Sequence, residues 1–260
     1  KKNVKALIIT HGHYDHIGAI PYIIEKMGNP PIYATSITKE IIAKRQEEFP
    51  RVAKLNFEVI KAGEVRKIYE NFTARFFPVT HNIPEGVGIV LETPIGKIVH
   101  PGEFKFDYDI EGKPRGLDIW EEIGKEAVHT LLLDSTGAEE PGFSVSERVV
   151  EEELTKIFKG AKGRIIVGTF ASLLDRLAEI IKIAEKLGRK VAVSGLSMKT
   201  NIQIARNLGF MKFSKETFIP LEEVRKYPDD GVMIICTGAQ GEPNASLARI
   251  ASGEHPQIQI

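Results

Sequence analysis

His11, His13, Asp15 and His16 place four potential metal ligands within six residues, directly after the apolar run Lys5-Ala6-Leu7-Ile8-Ile9-Thr10. Imidazole nitrogens and carboxylate oxygens suit zinc and related divalent ions. On a continuing strand, positions 11, 13 and 15 share one face. On a turn at the strand end, His16 joins Asp15 at a second centre. Gly12 lacks a Cβ, so the backbone can bend tightly around an ion. A single histidine in a loop needs no ligand. Four donors at this spacing point to a metal centre.

The elements that must position them follow two rhythms. Residues 1–140 read as strand-rich. Strands are expected over 4–10, 31–35, 57–61, 72–80, 87–92 and 97–103, and a buried strand over 129–134. Helices are expected over 17–27, irregular at Pro21, and over 38–48. Thr93-Pro94-Ile95-Gly96 is a hairpin turn signal. Residues 141–260 alternate helix and strand: helices over 146–158, 172–187, 197–208 and 245–251, strands over 164–168, 190–194 and 232–236. Ser144 or Ser146 caps the first helix. A strand is expected to begin at 258–260. This βαβα alternation implies a parallel sheet covered by helices. Both ends look cut, so the chain reads as part of a longer protein.

The 260 residues are 42% hydrophobic and 27% charged, which excludes disorder and a disulfide scaffold. A chain of this length buries about 70% of its surface, enough for one large core or two modest ones. The net charge of +0 advertises no global nucleic-acid field, though a local basic groove stays open. One cysteine, Cys236, makes no internal disulfide and favours a reducing compartment, here the cytoplasm. No apolar run approaches the ~20 residues of a membrane span, so no membrane is expected as partner.

The run His11–His16 followed by Ile17-Gly18-Ala19-Ile20-Pro21-Tyr22 resembles the metallo-β-lactamase superfamily, specifically its β-CASP nucleases of the ribonuclease J type. The resemblance continues in order through Thr80-His81-Asn82-Ile83-Pro84-Glu85, His100-Pro101-Gly102-Glu103-Phe104-Lys105 and Leu133-Asp134-Ser135-Thr136. It extends to Gly168-Thr169-Phe170-Ala171-Ser172 and Cys236-Thr237-Gly238-Ala239-Gln240-Gly241. It implies an α/β fold: a partial metallo-β-lactamase αββα sandwich over 1–140 and an inserted, incomplete β-CASP parallel α/β domain over 141–260. It implies one metal held by His11, His13 and His81, a second by Asp15 and His16, and Glu103 as the bridging carboxylate. Two divalent ions about 3.5–4 Å apart polarise a phosphoryl oxygen and make water nucleophilic near neutral pH. Zinc is the expected ion, with manganese as alternative. Asp15 and Asp134 are the candidate catalytic carboxylates, Asp134 acting as support for a ligand or for substrate. As the bland alternative, Asp134 is a turn residue.

The implied activity is 5′-to-3′ exonucleolytic hydrolysis of single-stranded RNA, with endonucleolytic cleavage left open, by a homodimer or homotetramer. Thr169, Ser172, Ser194, Ser197, Thr237 and Gln240 precede helices at the sheet edge and are candidate substrate contacts. Taken singly, such residues are ordinary helix caps. Lys199, Arg206 and Arg249 could meet phosphates. Histidines 100, 129 and 255 are expected not to ligate. Glu103 stands where the family usually has Asp, one methylene shorter, and the expected later ligand motifs lie beyond this sequence. These departures keep a non-catalytic RNA-binding homologue in view. The first motif alone also fits a small-molecule thioester or lactone hydrolase of the same superfamily, against which the βαβα region argues.

Overall fold

The computed structural model describes residues 4–259. The chain divides after Ser146 into two compact units. In the first, β1 (Leu7–Ile8), β2 (Ile32–Ala34) and β3 (Phe57–Val59) form a parallel sheet in that order. Their connections include α1 (Tyr14–Ile17), α2 (Ile20–Ile23) and α3 (Ser36–Gln46). A second sheet runs β4 (Val65–Tyr69), β5 (Phe72–Pro78), β6 (Val87–Thr93), β7 (Gly96–His100) and β8 (Val128–Leu131). Its first four strands pair antiparallel, and β8 joins β7 in parallel after α4 (Leu117–Gly124).

Strand alternation builds the layers. Ala74 and Phe76 of β5, with Val87 and Ile89 of β6, pack towards Ile8 and Tyr33 of the first sheet. Phe77, Val90 and Val99 face the other way, against Ile119, Trp120 and Ile123 of α4. On the far side of the first sheet, Ile17, Ile20 and Ile42 of the helices meet Ile9, Ile32 and Ala34. The result is helix, sheet, sheet, helix, as expected. Because β5 and β7 both run antiparallel to β6, and β8 runs with β7, the segments leaving these three strands emerge at one edge.

The second unit carries β9 (Ile165–Gly168), β10 (Lys190–Ser194) and β11 (Val232–Cys236), all parallel, in the order β10-β11-β9. The central β11 is an unbroken apolar run buried along its length, as a strand covered on both faces requires. Helices α5 (Glu147–Gly160), α6 (Leu174–Lys186), α7 (Leu196–Asn207) and α8 (Ser246–Ala251) complete the unit. No described helix is long and apolar enough to cross a membrane.

Four expectations change. The 4–10 strand shrinks to two residues, although the Ile9 amide still donates to the Tyr33 carbonyl at 2.9 Å. The 17–27 helix is two short helices, with Pro21 in the first turn of α2. The 129–134 strand is not buried: β8 is the outermost strand of its sheet, and Leu131, Leu132 and Leu133 are 53%, 51% and 53% exposed. The apolar run looked like two-sided burial, but among the described residues only β7 pairs with it. Ile258 is buried without belonging to a strand, and the rest of that expected strand reaches Ile260, outside the described residues.

Arg189 binds the start of the second unit's sheet together. It is buried, and its guanidinium donates to the carbonyls of Ala161 at 2.7 Å, Gly163 at 2.9 Å and Val232 at 3.4 Å. Replacement by Met keeps much of the aliphatic packing but strands these carbonyls. Arg189→Met is therefore expected to lower unfolding free energy by about 2–3 kcal/mol, measured by urea denaturation.

Candidate metal centre

The histidine motif is a turn. His11 and Gly12 follow the first strand, His13 occupies the N-cap of α1, and Asp15 and His16 lie within that single helical turn. Thus the turn alternative holds: it brings the His16 ring to 4.2 Å from that of His11, with Asp15 exposed beside it. Gly12 earns its position by close approach: a Cβ there would stand 3.0 Å from Ile41 Cδ1 and 3.3 Å from Ile83 Cδ1.

His81 leaves β5 and Glu103 leaves β7, at the shared sheet edge. Backbone bonds tie these segments: Val87 N–H donates to the Thr10 carbonyl at 3.0 Å, and Lys105 N–H to the Thr80 carbonyl at 2.8 Å. His11 Nε2 and His81 Nε2 each lie 3.1 Å from His13 Nδ1. Glu103 Oε2 is 3.0 Å from His81 Nε2, 3.6 Å from His11 Nε2 and 3.8 Å from His13 Nδ1. The other oxygen, Oε1, accepts from His16 Nε2 at 2.8 Å, and Asp15 Oδ2 lies 3.3 Å from the same nitrogen. Two donor sets result, His11–His13–His81–Glu103 and Asp15–His16–Glu103, with donor atoms within 4.8 Å of one another in each. Glu103 belongs to both.

The donor chemistry fits a divalent cation. Two nitrogens bound about 2.1 Å from one ion at a tetrahedral angle stand ~3.4 Å apart, close to the separations found. Burial favours the neutral form of His11, His13 and His81. Desolvation, then neighbouring His16 and His13, drive His11 down to about 2. Burial also lowers His13 against the opposing pull of Glu103, and lowers His81, with His13 adding to the effect. Their lone pairs are therefore available to a cation. The His13 Nε2 atom is buried without a partner, so the polar partners of that ring are at Nδ1, within the cluster.

Three supporting residues escaped the sequence reading. Thr10 Oγ1 lies 3.0 Å from His11 Nδ1. With Nε2 turned to the cluster, Nδ1–H donates to that hydroxyl, which fixes ring and tautomer. Gly102 (φ +68°) must lack a side chain, because a Cβ would fall 2.9 Å from Thr10 Cβ. Glu85 holds the His81 loop from a left-handed backbone (φ +59°). Its Oε2 accepts from Ser36 Oγ at 2.5 Å and Ile37 N–H at 3.1 Å, at the start of α3. Thr10 is the sequence neighbour of His11, whereas the Gly102 and Glu85 contacts are long-range pairings of ordinary residue types with no local signal.

Asp134 lies outside both donor sets. Its Oδ1 accepts from Thr136 N–H at 3.0 Å and Thr136 Oγ1 at 2.8 Å, the turn arrangement of the bland reading. The Thr136 backbone bond is the main cause of its lowered carboxyl pKa, and the charge of Asp134 is felt at His81. His100 is exposed and its Nδ1 faces the Leu132 carbonyl at 3.3 Å, while His129 is exposed on β8; neither joins a donor set.

In the second unit the candidate contacts separate. None of them caps its helix: the N-cap residues of α6, α7 and α8 are Leu173, Gly195 and Ala245, none with a side-chain cap bond. Ser197 and Gln240 are exposed, Ser172 and Thr237 half-buried, Thr169 buried. Ser194 departs from the expectation. It is 3% exposed, and its hydroxyl donates to Ser246 Oγ at 2.9 Å and meets His255 Nε2 at 3.0 Å. His255 Nδ1 accepts from Gln257 N–H at 3.2 Å and Ile258 N–H at 3.1 Å. Nε2 must then carry the proton and donate to Ser194, so this Ser–His pair has no base and is a packing network. Its hydroxyl is spent and has no surface to offer a substrate.

The Metallo-beta-lactamase superfamily model matches residues 1–168, and that of the Ribonuclease J, beta-CASP domain matches residues 162–260. The chain is 45% identical over 259 residues to Ribonuclease J 1 of Streptococcus pyogenes serotype M3, covering 99% of this chain and 46% of that protein. It is 40% identical over 266 residues to Ribonuclease J of Thermus thermophilus, covering 100% and 46%. Against Ribonuclease J of Mycoplasma pneumoniae the identity is 39% over 257 residues, covering 99% and 45%. The chain thus spans just under half the length of these relatives. A solved protein of unknown function from Enterococcus faecalis V583 shares the fold, with a TM-score of 0.64 and 18% identity over 88% of this chain and 58% of that one.

Two outcomes test this geometry. Zinc at a hundredfold excess over its Kd is expected to stabilise the chain by about 2.7 kcal/mol, read as a rise in Tm, and His81→Ala is expected to abolish most of that rise. Burial lowers the pKa of His255, with Arg249 adding to it. Below the unfolded value of about 6.5, the unfolded chain binds the extra proton, so stability is full above that pH and is lost as pH falls beneath it. Urea midpoints between pH 7.5 and 5 are expected to fall less steeply in His255→Leu.

Proposed function

Because the chain belongs to the metallo-β-lactamase superfamily, in its ribonuclease J group, we propose that it carries the catalytic portion of a metal-dependent ribonuclease hydrolysing RNA phosphodiester bonds. The single observation that carries this reading is the shared carboxylate: Glu103 turns one oxygen to three imidazole nitrogens and the other to His16. One carboxylate serving two donor sets is what a two-ion phosphodiesterase needs.

His11, His13, His81 and Glu103 would hold one ion, and Asp15, His16 and Glu103 the other. Zinc is the proposed occupant and manganese the alternative. When bound, such ions polarise a phosphoryl oxygen and make water nucleophilic. The protein's own groups do the remainder. Asp15 is exposed beside His16, where its carboxylate would orient the attacking water and take its proton. Asp134 would act from outside both donor sets, contributing negative charge felt at His81.

Substrate would be single-stranded RNA, degraded 5′ to 3′ with internal cleavage as a second mode, by residues 1–140 acting with a β-CASP domain over 141–260. Thr169, Ser172, Ser197, Thr237 and Gln240 are the proposed contacts of that second domain. A cytoplasmic homodimer or homotetramer completes the proposal. The match of residues 162–260 to the β-CASP model favours RNA over a small thioester or lactone.

The longest natural protein containing this chain, supplied with zinc or manganese, is expected to shorten 5′-monophosphorylated RNA. Asp15→Asn is expected to lower kcat by about 10²–10⁴ while the ion held by His11, His13 and His81 is retained, and His81→Ala to lose both metal and activity. Equal RNA turnover in wild type and His81→Ala sinks the assignment.

A further inference from the structure

A cavity of about 370 Å³ in the second unit lies between α7 and the segment 213–221. That size falls in the range of about 300–1,000 Å³ typical of small-molecule sites. Lys199, Gln203 and Arg206 line it from α7 at spacings of four and three, which puts all three on one side of the helix. Phe213 and Phe218 form the opposite wall, ring centroids 4.5 Å apart.

The charges there are unanswered. Lys182, Lys186 and Lys226 of the same unit each lie against a glutamate. Among the described residues, neither Lys199 nor Arg206 is paired with a carboxylate, and no acidic residue lines the cavity. Arg206 is instead held over the Phe213 ring, its guanidinium carbon 5.0 Å from the centroid. That contact holds the guanidinium at the cavity wall, where its N–H donors would meet an anion.

The aromatic wall is also held in place. Ile219 N–H donates to the Val191 carbonyl at 3.0 Å, and Phe218 bridges Val191 at the edge of β10. Glu185 Oε1 receives Ser214 N–H at 2.8 Å and Thr217 Oγ1 at 2.6 Å, which anchors the turn joining the two rings. A solvated basic stripe needs no fixed aromatic wall, and an apolar packing defect needs no pair of unanswered cations.

We propose that this cavity binds a nucleoside monophosphate unit, its base against Phe218 and its phosphate at Lys199 and Arg206. The unit is either a free nucleotide or one residue of an RNA strand. The site goes beyond the phosphodiesterase reading and needs no metal.

Titration of the full chain in excess EDTA separates the two. Adenosine 5′-monophosphate is expected to bind one to one, at least tenfold tighter than either inorganic phosphate or adenosine. The Lys199→Gln, Arg206→Gln double variant is expected to lose at least tenfold in affinity with its circular dichroism unchanged. If that variant does not fold, Lys199→Gln alone, at an exposed position, is expected to weaken binding at least threefold. Competition by a short oligoadenylate assigns the site to RNA, and absence of competition assigns it to free nucleotide. Nucleotide binding no tighter than phosphate, or affinity unchanged in a folded variant, overturns the proposal while leaving metal-dependent cleavage untouched.

Discussion

Four lone-pair donors face one another at the edge of a sandwich: three neutral imidazole nitrogens and a carboxylate oxygen, within 4.8 Å. They cannot satisfy each other, since each close pair shares at most one proton. Burial makes protonating them costly, as the depression of His11 indicates. Such an arrangement persists only because the scaffold imposes it. The two packed sheets bring the ends of β5, β7 and β8 to one edge beside the loop after β1. The apolar layers on either side of the second sheet hold those ends in register.

The parts of this scaffold that were legible in the sequence are those set by local pattern. Strands β10 and β11 match the expected 190–194 and 232–236 residue for residue, because continuous apolar runs bounded by turn residues have one reading. The hairpin at Thr93–Gly96 was equally plain. Strand β4 was missed because Val65–Tyr69 is mostly exposed and carries two cations, so it shows no apolar face. Helix α4 was missed because it spans only eight residues and its meaning lies in Trp120 and Ile123 meeting Phe77 and Val99 across the sheet. The run Leu131–Leu133 misled for the opposite reason: composition implied a two-sided interior, and topology put it at an edge.

The site divides in the same way. The cluster at 11–16 is read from spacing, but the joining of His81 and Glu103 to it came from resemblance, and geometry supplies the distances. Ser194 and His255 illustrate the limit of reading residue types. A serine beside a histidine suggests reactivity, and only the two amides on Nδ1 reveal that the ring is a donor with nothing to accept. Glu103 reaches both donor sets through its two oxygens.

The clasp made by Glu85 on the first turn of α3 gives the His81 loop a dependence invisible in any list of ligands. Helix ends fray at a small fraction of the free energy of global unfolding. Each time the start of α3 opens, the carboxylate that compensates a left-handed backbone loses its partners at Ser36 and Ile37. The precision of one imidazole is thereby tethered to the local opening of a helix terminus whose own residues touch no ligand.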